Sequence, residues 1–243
     1  MTSFGPYSRV IFEFDGVKQR GRVTRVMPKK RGIVTDSGKR VIVPVRRLRP
    51  SPDRVLILEA RLDRRNLRSD RIYGPMMRHW LSAYDVVALY ERVHTVEDLR
   101  RFLRREGMNV ATRFIQIIGH GTHKPGSSKV TFKLTFGEMD LMEQADVFEG
   151  LDGKIIIFSC CEVGGNRSAM EQIKQKSGAA AIIAYRRWVY DYHSNLCEVM
   201  LFDKLIESRT SPQKAVDSVN RALDELEIRL GPKGTKQPVL VCF

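Results

Sequence analysis

Two short stretches carry side chains that could do nucleophilic chemistry. One is Phe114-Ile115-Gln116-Ile117-Ile118-Gly119-His120-Gly121, an apolar run that finishes on a histidine between glycines. The other is Ile155-Ile156-Ile157-Phe158-Ser159-Cys160-Cys161-Glu162, an apolar run that finishes on two thiols. A thiol attacks as its thiolate, which calls for a nearby base, cation or helix N-terminus. An imidazole can supply the base and afterwards the acid. Gly119 and Gly121 let backbone approach a substrate closely, and the amides of Gly121 and Cys161 are candidate donors to a developing oxyanion. Neighbouring residues on a strand point to opposite faces, so only one of Cys160 and Cys161 can face a given cleft. Taken singly, a strand-end histidine is more often structural, and a cysteine after an apolar run is more often an inert core thiol. Their joint occurrence on two strand ends, each beside glycine, is what points to catalysis.

Such strand ends need a sheet to hold them. Apolar runs bounded by glycine suit strands buried on both faces of a parallel sheet, and open α/β sheets place their chemistry at the carboxyl ends of such strands. From residue 54 onward, strands at 55–58, 86–90, 114–118, 154–159, 179–184 and 238–243 alternate with helices at 72–84, 95–107, 167–176, 191–207 and from Ser211. A charged loop is expected at 61–70, an exposed hairpin or edge strand at 129–134 and a short helical piece at 140–148. Thr95 caps its helix with acids in the first turn, and Pro212 sits in the first turn of the last one. In the helix over 191–207 the buried stripe is read as Leu196, Val199, Met200, Phe202, Leu205 and Ile206. The fold class is α/β, with right-handed crossovers and a mainly parallel sheet flanked by helices.

The first fifty residues have a different rhythm. They hold 13 Lys or Arg against three acids, a net +10 of the chain's +14. Short β-like pieces at 9–14, 21–27, 31–35 and 39–44 are separated by turn signals such as Asp15-Gly16 and Asp36-Ser37-Gly38. This describes a small antiparallel β-barrel over residues 1–50, SH3-like or Tudor-like, joined near Pro50-Ser51-Pro52 to a body over 54–243. Lys29, Lys30, Arg31, Arg46, Arg47 and Arg49 are candidate contacts to nucleic-acid phosphates, against the alternative of a solvated basic face. Few aromatics interleave with them, so base stacking is not supported.

The four cysteines fit no zinc spacing, and free thiols suit a reducing compartment. The chain shows no membrane-length apolar run and no secretory pattern in its first 15 residues, so a cytoplasmic location without membrane association is the default expectation.

Together the two strand ends resemble the caspase-like cysteine peptidases of the caspase, gingipain and separase clan, and most closely the CHAT-domain branch. The resemblance spans residues 54–243 and rests on Ile117-Ile118-Gly119-His120-Gly121, on Phe158-Ser159-Cys160-Cys161-Glu162, and on Ala181-Ile182-Ile183-Ala184 with Trp188-Val189-Tyr190-Asp191. It implies a caspase-like sheet, His120 as catalytic histidine and Cys161 as nucleophile, with Cys160 where relatives have a small residue. It implies a protein or peptide substrate and no metal or organic cofactor. In several relatives an aspartate after the post-cysteine strand binds a basic substrate residue, and Asp191 holds that position; helix capping is its alternative role. Glu162 is a further candidate for substrate binding. His123 and His193 are read as a solvated loop residue and an unfavourably placed first-turn residue, and His79 and Trp80 as helix packing. The resemblance also implies an effector switched by a regulatory partner, in prokaryotes often against phage. The alternative is an inactive scaffold whose basic barrel binds nucleic acid or protein; a nucleic-acid-processing enzyme is disfavoured because no clustered carboxylates accompany the basic surface.

Overall fold

The computed structural model describes residues 4–6, 8–50, 53–60, 72–84, 86–124, 126–206, 210–232 and 238–243. The charged stretch read as a loop at 61–70, Ser51-Pro52 of the expected junction and Glu207 at the end of the fourth expected helix lie outside the described residues.

The N-terminal strands β1 (Arg9–Phe14), β2 (Val17–Val26), β3 (Lys30–Thr35), β4 (Arg40–Pro44) and β5 (Arg49–Pro50) form one antiparallel sheet in the order β4-β3-β2-β1-β5. Alternation places Val10, Phe12, Val23, Ile33, Val41 and Val43 on one side, where they pack with Phe4 and Leu48. A bulge between Val23 and Arg25 bends β2. Among the described residues β4 and β5 do not pair with each other, so the hydrogen bonding ends at two edges.

The body continues through β6 (Arg54–Glu59), α1 (Gly74–Ser82), β7 (Val87–Arg92), α2 (Val96–Phe102), β8 (Thr112–Ile118), β9 (His120–His123), β10 (Val130–Lys133) and β11 (Glu138–Asp140). It ends with β12 (Ile155–Ser159), α3 (Arg167–Ser177), β13 (Ala181–Tyr185), α4 (Asp191–Ile206), α5 (Pro212–Glu225) and β14 (Leu240–Cys242). Six strands form the central sheet in the order β14-β13-β12-β8-β6-β7, parallel except for β14. Its strands are apolar on both sides because each face is covered. Ile156, Phe158 and Cys160 pack on one face with α2 and α3, and Ile155 and Ile157 on the other with α1, α4 and α5.

Two expectations change here. The 129–134 segment is no exposed edge: β10 is the centre of a separate sheet β11-β10-β9, and Val130, Thr131 and Phe132 are buried. The chain reaches this sheet by turning at Gly119, where a Cβ would lie 2.7 Å from the Phe132 ring, so His120 opens a new strand instead of closing the old one. The buried face of α4 is also rephased, comprising Asn195, Cys197, Glu198, Leu201, Phe202 and Leu205, while Leu196 is exposed.

Candidate active site

The site is built by one piece of register. β8 and β12 are adjacent and parallel with Ile118 opposite Ser159, and the Gly119 amide donates to the Ser159 carbonyl at 3.2 Å. Both apolar runs therefore end at the same level of the sheet. Beyond it β9 crosses over the cysteine strand end. A Cβ on Gly121 would overlap the Cys161 carbonyl oxygen and lie 2.6 Å from Val163 Cγ1, so this crossing requires glycine. His120 directly precedes that contact and is half-buried on β9, paired across to Lys133.

The two thiols separate as strand alternation demands. Cys160 is 3% exposed and packs in the core on one side of the sheet, Cys161 packs against the opposite cluster, and both residues border a cleft at the strand end. Burial pushes the Cys160 thiol well up from its ordinary value, which keeps it inert. Burial also raises Cys161, helped by the charge of Glu162 and opposed by the Val189 amide, which donates to Sγ at 3.4 Å. Sγ in turn lies 3.6 Å from the Val189 carbonyl. In this structure Cys161 is a thiol resting against the backbone of Val189. Helix α3 begins only at Arg167, its N-cap Asn166 accepting from the Ala169 amide, with a turn at Val163–Gly165 between it and the thiol.

The cleft beside Cys161 is lined on its other walls by Tyr73, Ser159, Val189, Asp191 and Glu198. Asp191, the first residue of α4, is thus in the same cleft as the thiol. Glu162 is not among the lining residues. Its backbone is left-handed at φ 65°, its amide donates to the Arg187 carbonyl, and its carboxylate accepts from the His123 amide at 3.3 Å. The structure thus does not bring Glu162 into the cleft with Cys161 and Asp191; its carboxylate holds β9 over the cysteine strand end. His123 is not a solvated loop residue either; Nε2 lies 3.1 Å from the Ser127 carbonyl, with Asn166 Nδ2 at 3.5 Å. His193 packs edge-on against Tyr190 and Tyr192. Trp80 packs on Tyr84 as expected, whereas His79 beside it is exposed.

Sequence reasoning missed Glu198 and its surroundings. This carboxylate is 1% exposed and accepts from Gln116 Nε2 at 2.6 Å and from the Tyr185 hydroxyl at 3.2 Å. Burial pushes its pKa up to about 7, against the hydrogen bonds from Ser159, Tyr185 and Gln116. A signal existed: position 198 stands three, four and seven residues before Leu201, Phe202 and Leu205, on the face a core helix keeps apolar. An aromatic row also runs from the loop before α4 into its first turn, with Trp188 and Tyr192 exposed and Tyr190 half-buried. Trp188, Tyr190 and Tyr192 pack in series at 4.9 and 5.4 Å beside the Val189 backbone that touches the thiol.

On the N-terminal sheet, Lys29, Lys30, Arg46, Arg47 and Arg49 are exposed. The Lys29 carbonyl accepts from the Val45 amide, which brings the β2–β3 turn and the turn carrying Arg46 and Arg47 to one end. Arg31 does not belong with them. It is 8% exposed, and its guanidinium donates inward to the carbonyls of Phe4 at 2.6 Å and Lys30 at 2.8 Å, so it does not share their exposed rim.

No family model matches the chain, and no curated protein matches it in sequence. Among solved structures, the crystal structure of the Drosophila initiator caspase Dronc is similar, with a TM-score of 0.51 at 12% identity, covering 78% of this chain and 78% of that chain. At that identity the likeness shows the fold, a caspase-like mainly parallel sheet flanked by helices, here with an antiparallel sheet at the N-terminus.

Proposed function

We propose that the chain is a cysteine endopeptidase of the CHAT-like type, cleaving a protein substrate through Cys161 and His120 on the carboxyl side of a basic residue. The observation that carries this reading is the β8–β12 register, which ends a histidine-bearing and a cysteine-bearing segment at one level of the sheet with Gly121 against the Cys161 carbonyl. In this mechanism His120 takes the thiol proton as Cys161 attacks the scissile carbonyl. The amides of Gly121 and Cys161 donate to the developing oxyanion, and His120 then protonates the leaving amine. Asp191 in the cleft pairs with the basic side chain that precedes the cleaved bond. No cofactor takes part.

The resting contact of Cys161 with Val189 and the raised pKa of the thiol fit an effector that a regulatory partner switches on. The exposed cations Lys29, Lys30, Arg46, Arg47 and Arg49 are proposed as a phosphate-contacting rim through which nucleic acid tethers or senses; an anti-phage role belongs to the same reading. The same thiol state favours a second reading, an inactive scaffold. Hydrolysis of fluorogenic peptides with Lys or Arg before the reporter separates the two. Turnover that both Cys161→Ala and His120→Ala abolish supports the peptidase; turnover that persists in Cys161→Ala contradicts it.

A further inference from the structure

The N-terminal sheet carries a concave site of its own, a depression of about 490 Å³ open to solvent. The β1–β2 hairpin supplies Glu13, Asp15 and Gly16 to its lining, and the turn Val45–Arg47 with β5 supplies Arg46, Arg47 and Arg49. β5 pairs with β1 at Ile11 and Arg49, which fixes the two sides against each other. Arg49 Nη1 braces the turn by donating to the Leu48 carbonyl at 3.1 Å and the Arg46 carbonyl at 3.4 Å. The lining thus holds both signs of charge, yet among the described residues no ion pair joins Glu13 or Asp15 to any of the three arginines. Opposite charges that border one space without closing on each other suit a ligand that answers both. Three guanidinium groups against two carboxylates leave one positive charge in excess, so that ligand is an anion overall. Arginine forks meet a phosphate bidentately. An ionised carboxylate only accepts, so the part of the ligand facing Glu13 and Asp15 carries donors and no further negative charge. A ribose with free 2′- and 3′-hydroxyls supplies such donors. A free amino acid, neutral overall, would leave the excess positive charge unanswered. No aromatic side chain lines the depression, so a base is neither stacked nor read there.

We propose that this depression binds a ribonucleotide, its phosphate on Arg46, Arg47 and Arg49 and its free 2′,3′-diol on Glu13 and Asp15. The Lys29 carbonyl accepts from the Val45 amide, so the exposed Lys29 and Lys30 continue the positive charge from the same turn. The nucleotide is therefore the 3′ end of an RNA chain whose preceding phosphates follow that rim. This continuation rests on the nucleic-acid reading of the rim; the ribonucleotide pocket does not. A 3′-phosphate would set negative charge against the two carboxylates, and a DNA end lacks one of the two hydroxyls.

The test titrates the full chain by fluorescence anisotropy against a 5′-labelled oligo-uridylate ending in a free diol, in a 3′-phosphate or in a 2′,3′-dideoxynucleotide, with uridine 5′-monophosphate as competitor. The diol end should bind about 10-fold tighter than either other end. Glu13→Gln with Asp15→Asn should remove that margin, raising the affinity of the 3′-phosphate end. Both positions are exposed, and asparagine accepts the left-handed backbone of Asp15 at φ 53°, so the fold tolerates the pair. Displacement by the diol-ended oligomer but not by the monophosphate supports an RNA end as the ligand; binding of the monophosphate alone keeps the pocket and removes the RNA chain. Equal binding of all three ends, or a diol preference that survives the double substitution, overturns the proposal and leaves the rim to phosphates alone. Binding of neither the oligomers nor the monophosphate overturns it together with the nucleic-acid reading.

Discussion

The thiol of Cys161 sits in a place that both shields and aims it. Its sulfur touches the backbone of Val189, and burial favours the neutral form, so the resting chain holds little thiolate near neutral pH. Gly121 fixes how closely the histidine-bearing strand passes. Gly121→Ala would drive a methyl into the Cys161 carbonyl and Val163, costing about 1–3 kcal/mol by overpacking. The expected outcome is a lower unfolding midpoint in urea and at least 10-fold slower labelling of Cys161 by a peptide electrophile; unchanged labelling would detach Gly121 from the site. Glu198 carries its own signature at this scale. Its folded pKa of about 7 lies above the unfolded carboxylate range, so the folded state binds the extra proton between about pH 4.5 and 7. Its contribution to stability is fully present below that window and lost as pH rises through it. Relative to wild type, Glu198→Gln should therefore gain stability from pH 4.5 to 7 in parallel denaturant titrations, and parallel curves would contradict the burial argument.

At the scale of elements, β8, β12 and β13 were legible because short, largely apolar runs, interrupted in β8 only by Gln116 between Phe114 and Ile118, are what a doubly covered parallel strand requires. The Thr95 start of α2 was legible too: its hydroxyl accepts from the Asp98 amide while Asp98 accepts from the Thr95 amide, a reciprocal cap. Thr95→Ala should cost about 1 kcal/mol of stability, read by urea unfolding, without changing Cys161 labelling. What escaped was set by tertiary contact. The turn at Gly119 depends on a ring from Phe132, thirteen residues away, and no local pattern announces it. Glu162 looks like a free carboxylate beside the nucleophile until β9 brings the His123 amide to it. Helix α4 was phased one step off because a core face was expected to be apolar, while this one includes Asn195 and Glu198 where it meets the cleft. The polar exceptions to the periodicity line the cleft.

Across the whole molecule, the N-terminal sheet and the cleft belong to opposite ends of the same strand. Arg22 of β2 donates to the carbonyls of Val110 and Ala111 at 3.1 and 3.3 Å and pairs with Asp53, which Arg113 also holds at 2.9 Å. These contacts meet β8 where it begins, and seven residues of strand, about 20 Å, separate that point from the Gly119 turn. Burial brings Arg22 down to about 10, and removing it would leave Asp53 with one cation and take the guanidinium from the Val110 carbonyl, while the Ala111 carbonyl keeps the Arg54 amide. Arg22→Ala should cost about 2–3 kcal/mol in urea unfolding. The rim of Lys29, Lys30, Arg46, Arg47 and Arg49 is exposed, unlike this junction's buried bonds. If it contacts phosphates, duplex binding should weaken steeply with salt, and Lys30→Ala with Arg46→Ala should flatten that slope by roughly 2. A slope indifferent to these substitutions would leave the rim as a solvated face.

The central claim is that the caspase-like sheet of this chain presents Cys161 as a nucleophile served by His120. Its most direct test is mass-spectrometric mapping of the full chain after exposure to a peptidyl acyloxymethyl ketone with lysine at its reactive end. The account predicts one adduct, on Cys161, lost in Cys161→Ala and slowed at least 100-fold in His120→Ala. Labelling on Cys160, Cys197 or Cys242 in its place, or labelling of Cys161 at the same rate without His120, would contradict it.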